Sequence, residues 1–388
     1  MKIRDVKAII VEGNFDWVLV RVETDGGLYG LGESCASSHG SEIKQLVITL
    51  GSRIIGEDPR SISRLTTRMG LGKTSGYVAN AISGIEIALW DLLGKMLGAS
   101  VHTLLGGSLK DEVSLYADCH AGQSVTSPDS YGGEYEAYTP EAYAANAVEI
   151  EKKGYRLLKF DFYPSFPGPD NRLIESPMTE ADIKHCSEIV RTIREKIKPD
   201  TGLALDFGSG YSVSDAIRMA KAFEPYGLDW IEDPIEADNV QALYEVTHST
   251  SVPILISRTQ LRNMRQTTAQ VIVQQAARAL AIDFGTIGGL QEGKKITDLA
   301  DLYSIPMAIH NIASPVGTVA AAQASSTMKN FISLEHHAIA IPWWEELVTG
   351  EEVIADGVYK LNEKPGLGLQ LNEQIVKRHL KQGETYFE

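Results

Sequence analysis

The chain is poor in cysteine: its 388 residues include only Cys35, Cys119 and Cys186, an odd set with no Cys-x-x-Cys pair. A disulfide framework is thereby excluded, no zinc-binding spacing is offered, and reduced, mostly buried thiols are expected. Long apolar runs are also missing. No window approaches eighteen uninterrupted apolar residues, and the opening MKIRDVKAIIVEG lacks the regions of a secretory signal. A cytoplasmic protein is expected. Positive charge is in deficit, with 36 Lys and Arg against 51 Asp and Glu, a formal net charge of −15. Nucleic acid and anionic membranes both select basic faces, so neither is expected as a partner. An anionic substrate would need cations placed locally against that field.

What is present is enough apolar material, 43%, for a globular protein, in a chain longer than one core usually supports. The first hundred residues predict a strand pair, VKAIIVE and WVLVRVET, with Asp25-Gly26-Gly27 supplying hairpin turn chemistry. Helices follow, notably Asn80 to Gly98, apolar at helical spacing and stopped by glycine. From Val113 onward eight short β-rich runs recur: VSLYADCH, LLKFDF, LALDFG, DWIEDP, PILIS, LAIDFG, MAIHN and FISLE. The last six begin roughly 25 residues apart, and stretches such as PEAYAANAVEIEKKG and VSDAIRMAKAFEPYG between runs are helix-like. Eight apolar strands alternating with helices predict a parallel (β/α)8 barrel in preference to an open doubly wound sheet. The expected division is an α+β cap over residues 1–112, the barrel over 113–340, and a segment over 341–388 that packs back onto the cap.

The ends of these runs carry the chemistry. Run two ends in Lys159-Phe160-Asp161, run three at Asp206, run four at Glu232-Asp233, run six at Asp283, run seven at His310 and run eight at Glu335. In a barrel all these ends face one mouth, where active sites are built. Any single one, Asp206 and Asp233 included, has a plainer reading as the N-cap of the next helix. Together they make a ring of carboxylates suited to Mg²⁺, which takes oxygen ligands and leaves positions for water and substrate. His120 ends the first run and reads equally as a mouth residue or a structural histidine; His336 and His337 read as a solvated loop.

The ordered motifs ALWDLLGKMLG, VHTLLGG, WIEDP, DFGTIGG, AIHNIASPVGT and PGLGLQLN resemble the enolase superfamily, in its mandelate racemase-like group, over essentially the whole chain. Asp206 to Glu232 and Glu232 to position 258 are each 26 residues, and Asp283 to His310 is 27. The resemblance implies an enolase-like modified barrel whose Mg²⁺, held by Asp206 and Glu232, helps remove the proton α to a substrate carboxylate. It makes His310 the base, oriented by Asp283, with Lys159 on the opposite side of the substrate and Glu335 near the developing charge. Asp161, His120, Tyr77 and Trp17 are implied as substrate-binding residues, the last two from cap loops. Homo-oligomers are also implied.

The chain departs from the pattern at two places. Racemases of this group carry Lys-x-Lys where this chain reads Lys159-Phe160-Asp161, so the second proton-abstracting lysine is missing. Lys-Phe-Asp is similar to acid-sugar dehydratases, particularly of gluconate type, as is Trp343-Trp344-Glu345. Arg258 stands where a third metal-binding acid is implied. A guanidinium there would repel Mg²⁺ by about 4 kcal/mol for unit charges at 4 Å and an effective dielectric near 20. Either two ligands and water hold the metal, or Arg258 clamps a substrate carboxylate in its place, or the site is impaired; Gln260 is a weak substitute ligand. The expected activity is Mg²⁺-dependent dehydration of a small anionic acid sugar to a 2-keto-3-deoxy acid. The alternatives are an isomerase or cycloisomerase using the same intermediate, and a metal-deficient relative that only binds acid sugars.

Overall fold

The computed structural model describes residues 1–73, 76–119, 138–164, 167–168, 172–257, 265–337, 339, 341–349 and 353–388. Arg258, Gln260 and His120 lie outside the described residues.

The cap is an antiparallel sheet, β1 (Ile3–Glu12), β2 (Asp16–Thr24) and β3 (Tyr29–Cys35), covered by helices α1 (Gly40–Gly51), α2 (Ile62–Met69) and α3 (Tyr77–Leu97). The predicted pair is β1 and β2, in register Val6 to Val22 and Val11 to Trp17. The Asp25–Gly27 turn has a different task from the one expected of it, since it leads β2 into β3, a strand hidden in the sequence by its glycines. Those glycines exist because sheet and helix nearly touch: a Cβ on Gly30 would lie 1.9 Å from the Ala88 carbonyl oxygen, and one on Gly32 2.2 Å from that of Gly84. The α3 helix stops where Gly98 takes the left-handed conformation, φ 68°.

The barrel strands are β4 (Glu112–Cys119), β5 (Leu157–Asp161), β6 (Gly202–Asp206), β7 (Trp230–Glu232), β8 (Ile254–Ile256), β9 (Ala279–Ile282), β10 (Met307–Ile309) and β11 (Phe331–His336). Each pairs in parallel with the next, and β11 closes on β4 with Glu335 opposite Tyr116. All eight predicted runs are therefore strands of one closed barrel. Its interior holds Tyr116 and Trp230, edge to face at 5.5 Å between ring centroids, with Ala204, Ala279, Ala281 and Ala308 leaving room for them. Helices Pro140–Lys152 and Val213–Phe223 match the two helical stretches named above. Thr139, Thr179, Ser212, Asn239 and Ser314 cap helices by accepting backbone N–H groups, which fixes where each begins.

After β11 the chain meets both parts of the molecule. Val358–Lys360 adds antiparallel to the first residues of β4, Glu112 to Ser114, while His379 and Lys381 exchange backbone hydrogen bonds with Glu12 and Ile10 of β1.

Buried carboxylates fasten the cap to the barrel. Glu33 of β3 accepts from Ser314 N, Ser314 Oγ and Gly317 N at 3.0, 2.5 and 2.9 Å. Glu86 of α3 accepts from Leu290 N and Gln291 N at 2.8 and 2.9 Å, placing negative charge at the start of helix Leu290–Leu302. Burial outweighs these bonds and raises both carboxyls to about 7. Replacing Glu86 by alanine strands three N–H donors, those of Leu290, Gln291 and the Trp90 indole, and is expected to cost roughly 2–4 kcal/mol in chemical denaturation. Because the folded value lies above the ordinary 4.5, the acid holds its proton better when folded. Wild type should therefore lose stability relative to Glu86→Gln as pH rises from about 4.5 through 7.

Candidate active site

The C-terminal ends of the barrel strands surround a cavity of about 230 Å³. Register explains the assembly: Asp161, Asp206 and Glu232 are successive partners across β5, β6 and β7, so their side chains stand at one level. Lys159, two residues before Asp161, points to the same face. Its ammonium, 2% exposed, lies 2.8 Å from Glu335 Oε1, 3.4 Å from Glu232 Oε2 and 3.7 Å from Asp206 Oδ2. Burial by itself would depress this lysine, but Glu232 and Glu335 override it and hold it well above its ordinary value. Glu335 responds in the opposite sense: burial would raise it, yet Lys159 and His310 keep it below the ordinary range.

The carboxylates opposite Lys159 are differently held. Asp206 accepts from Gly208 N and Tyr163 OH at 2.9 and 3.0 Å, and burial still raises it well above the usual range. Burial raises Glu232 to about 8. Asp233 turns away from the mouth with φ 43° and binds Ser257 through both oxygens, at 2.7 Å to N and 2.5 Å to Oγ. It is thus a brace between β7 and the end of β8, not a helix cap.

His310 Nδ1 lies 3.0 Å from Asp283 Oδ2, and Asp283 Oδ1 accepts from Gly285 N at 2.6 Å. On its other side His310 Nε2 is 3.6 Å from Glu335 Oε2, which also accepts from Asn311 N at 2.9 Å. Asp283 thereby fixes the ring through Nδ1 and turns Nε2 toward Glu335.

Lys159, Asp161, Asp206, Glu232, His310 and Glu335 all line this cavity, with Asp283 behind His310. Two cap residues do not. Trp17 is 1% exposed, its indole N–H given to the Ile312 carbonyl and its ring edge-on to Trp343, so it seals the cap–barrel seam and cannot meet a substrate. Tyr77 is 39% exposed and packs on His39. The cap residues on the cavity are Phe15 and Ser37. His337 is also on it, paired with Asp118 at 2.9 Å, and His336 is buried, so neither histidine belongs to a solvated loop. Alternation gave the missing signal: Glu335 faces inward, hence so does the residue two further on. Asp118, Tyr163, Ser257 and Ile312 complete the lining.

Among the described residues no group of three or more His, Cys, Asp or Glu side chains is arranged to hold a metal ion. Asp206 and Glu232 do fit a divalent cation as a pair, because they are adjacent and Glu232 Oε2, 3.4 Å from the Lys159 ammonium, makes no hydrogen bond. Water and substrate oxygens would fill the remaining positions.

The fold is of the β/α-barrel class, with titratable side chains gathered at one mouth. Residues 7–106 match the mandelate racemase / muconate lactonizing enzyme N-terminal domain, and residues 142–375 match the enolase C-terminal domain-like family. The D-xylonate dehydratase of Haloferax volcanii is 37% identical, over 100% of this chain and 91% of that protein. The D-gluconate dehydratase of Thermoproteus tenax is 26% identical, over 93% and 69%. A mandelate racemase/muconate lactonizing enzyme-like structure from Rubrobacter xylanophilus superposes with a TM-score of 0.91 at 36% identity, covering 100% of this chain and 99% of the other. The chain belongs to the enolase superfamily, in the mandelate racemase-like group that contains the acid-sugar dehydratases, and it is a hydro-lyase.

Lys159 is the cation on which this cluster depends. Lys159→Met should cost roughly 3–5 kcal/mol, since it leaves buried carboxylates without their partner. Guanidinium unfolding in the presence of a chelator measures this; a loss below about 1 kcal/mol would show that the carboxylates protonate at little cost.

Proposed function

We propose that this enzyme dehydrates an aldonic acid, D-xylonate being the first to test, to the corresponding 2-keto-3-deoxy acid with the help of Mg²⁺. The observation that carries the reading is the His310–Asp283 pair opening on the same cavity as Lys159 and Glu335. The dehydratase relatives support the substrate class.

His310 takes the α-proton at Nε2. The imidazolium so formed lies between Asp283 at 3.0 Å and Glu335 at 3.6 Å, which stabilise its charge. Lys159 holds Glu335 in place and adds positive charge near the substrate carboxylate. A divalent cation at Asp206 and Glu232 would supply the further positive charge needed to acidify the α-carbon. Loss of the β-hydroxyl leaves an enol, which relaxes to the ketone. Asp161 on the cavity, in place of a second lysine, disfavours a two-base racemisation. On the same reading the enzyme works in the cytoplasm as a homo-oligomer.

Keto-acid release from a panel of aldonates tests the activity. His310→Asn should lower turnover by on the order of 10²-fold or more, with loss of solvent deuterium exchange at the α-carbon; near-native turnover would move the base to Lys159. For the metal, calorimetric titration of chelator-treated protein should show Mg²⁺ bound more tightly by Arg258→Glu than by wild type. Equal and tight binding by both would place Arg258 outside the coordination shell.

A further inference from the structure

A second histidine–carboxylate pair opens on the same cavity and has no task in the steps above. His337 follows β11 directly and, with its side chain 7% exposed, lines the mouth. Its Nε2 lies 2.9 Å from Asp118 Oδ2, and its Nδ1 lies 2.9 Å from the side-chain amide of Asn14, in the cap loop between β1 and β2. Phe15, next in that loop, packs on the imidazole at 5.1 Å between ring centroids. Around the mouth the order is His310, then Glu335 and His337, then Asp118, so the two pairs flank Glu335 on strands β9 to β10 and β11 to β4.

We propose that His337, held by Asp118, is the general acid that protonates the departing β-hydroxyl. The inference rests on the dehydratase reading and adds to it the residue that completes the elimination. Hydroxide is a poor leaving group, and its carbon is the neighbour of the one deprotonated, so the donor must reach a different atom from the base. His310, once protonated, is retained by Asp283 and Glu335 on both sides. In His337 Asp118 fixes Nε2, which makes Nδ1 the nitrogen that carries the transferable proton. In the neutral ring Nδ1 accepts from the Asn14 amide; for the imidazolium to donate from Nδ1 to a substrate hydroxyl, Asn14, which is buried and off the cavity lining, must give up this contact. The α-C–H pair moves into the substrate carboxylate as its proton passes to His310, and from that enediolate it forms the C=C bond of the enol as the C–O bond breaks. The C–O pair leaves with oxygen, which collects the Nδ1 proton and departs as water. His310 then returns its proton to solvent and His337 regains one, so no other reactant is needed.

The test uses the full-length enzyme, wild type and His337→Gln, with D-xylonate or whichever aldonate the wild type dehydrates, in deuterium oxide. Keto-acid formation by the variant should fall by on the order of 10²-fold, while α-deuterium incorporation followed by NMR stays within about tenfold of wild type. The 3-deoxy-3-fluoro analogue sharpens the result, because fluoride leaves without a proton and its release should be largely restored in His337→Gln. Asp118→Asn should show the same split. If exchange and dehydration decline together and fluoride release is not restored, His337 is structural and the proposal fails. Undiminished dehydration by His337→Gln overturns it as well. Failure of the wild type to exchange or dehydrate any aldonate would instead overturn the underlying reading.

Discussion

The ammonium of Lys159 is the constraint around which the mouth is organised. Three carboxylates, from β6, β7 and β11, stand within 3.7 Å of it, in a place from which water is largely excluded. Like charges in such surroundings repel strongly, and a carboxyl left there without a cation takes up a proton. Lysine from β5 reconciles them, and its grip on Glu335 carries through to His310 and to the backbone of Asn311. His310, its loop and the acid cluster are therefore one electrostatic unit.

The cap is tied to that unit by charge as well as by apolar packing. Glu33 grips the Ser314–Gly317 turn that follows His310, and Trp17 bonds to Ile312 in the same stretch. The loop bearing Asn14 and Phe15 meets His337. A barrel alone would leave the ends of β10 and β11 open to solvent; the cap both covers them and fixes their loops.

How much of this could be read beforehand follows from what each feature demands of the chain. Barrel strands are buried on both faces and must be apolar throughout, so eight short runs announced themselves. Parallel strands share one polarity, so charged strand ends were bound to gather at one mouth, and Asp206, Glu232, His310 and Glu335 do line the same cavity. Strand β3 was not legible because its glycines answer to the backbone of α3, a neighbour some fifty residues away, and glycine lowers the strand signal. Trp17 and Phe15 lie on one short stretch of chain, and nothing local tells which ring closes the seam and which faces the cavity.

The sequence alone determined the order of elements, the barrel, the resemblance to the enolase superfamily and the set of acids and bases available, because these depend on local pattern and on spacing along the chain. Tertiary structure alone decided how they are paired: Lys159 with three acids, Asp233 with Ser257 in place of a helix, His337 with Asp118 across the closure of the barrel. Pairing depends on which strand ends become neighbours when β11 meets β4 and on the tilt of each side chain. Residues 219 positions apart, such as Asp118 and His337, leave no trace of that meeting in the chain between them.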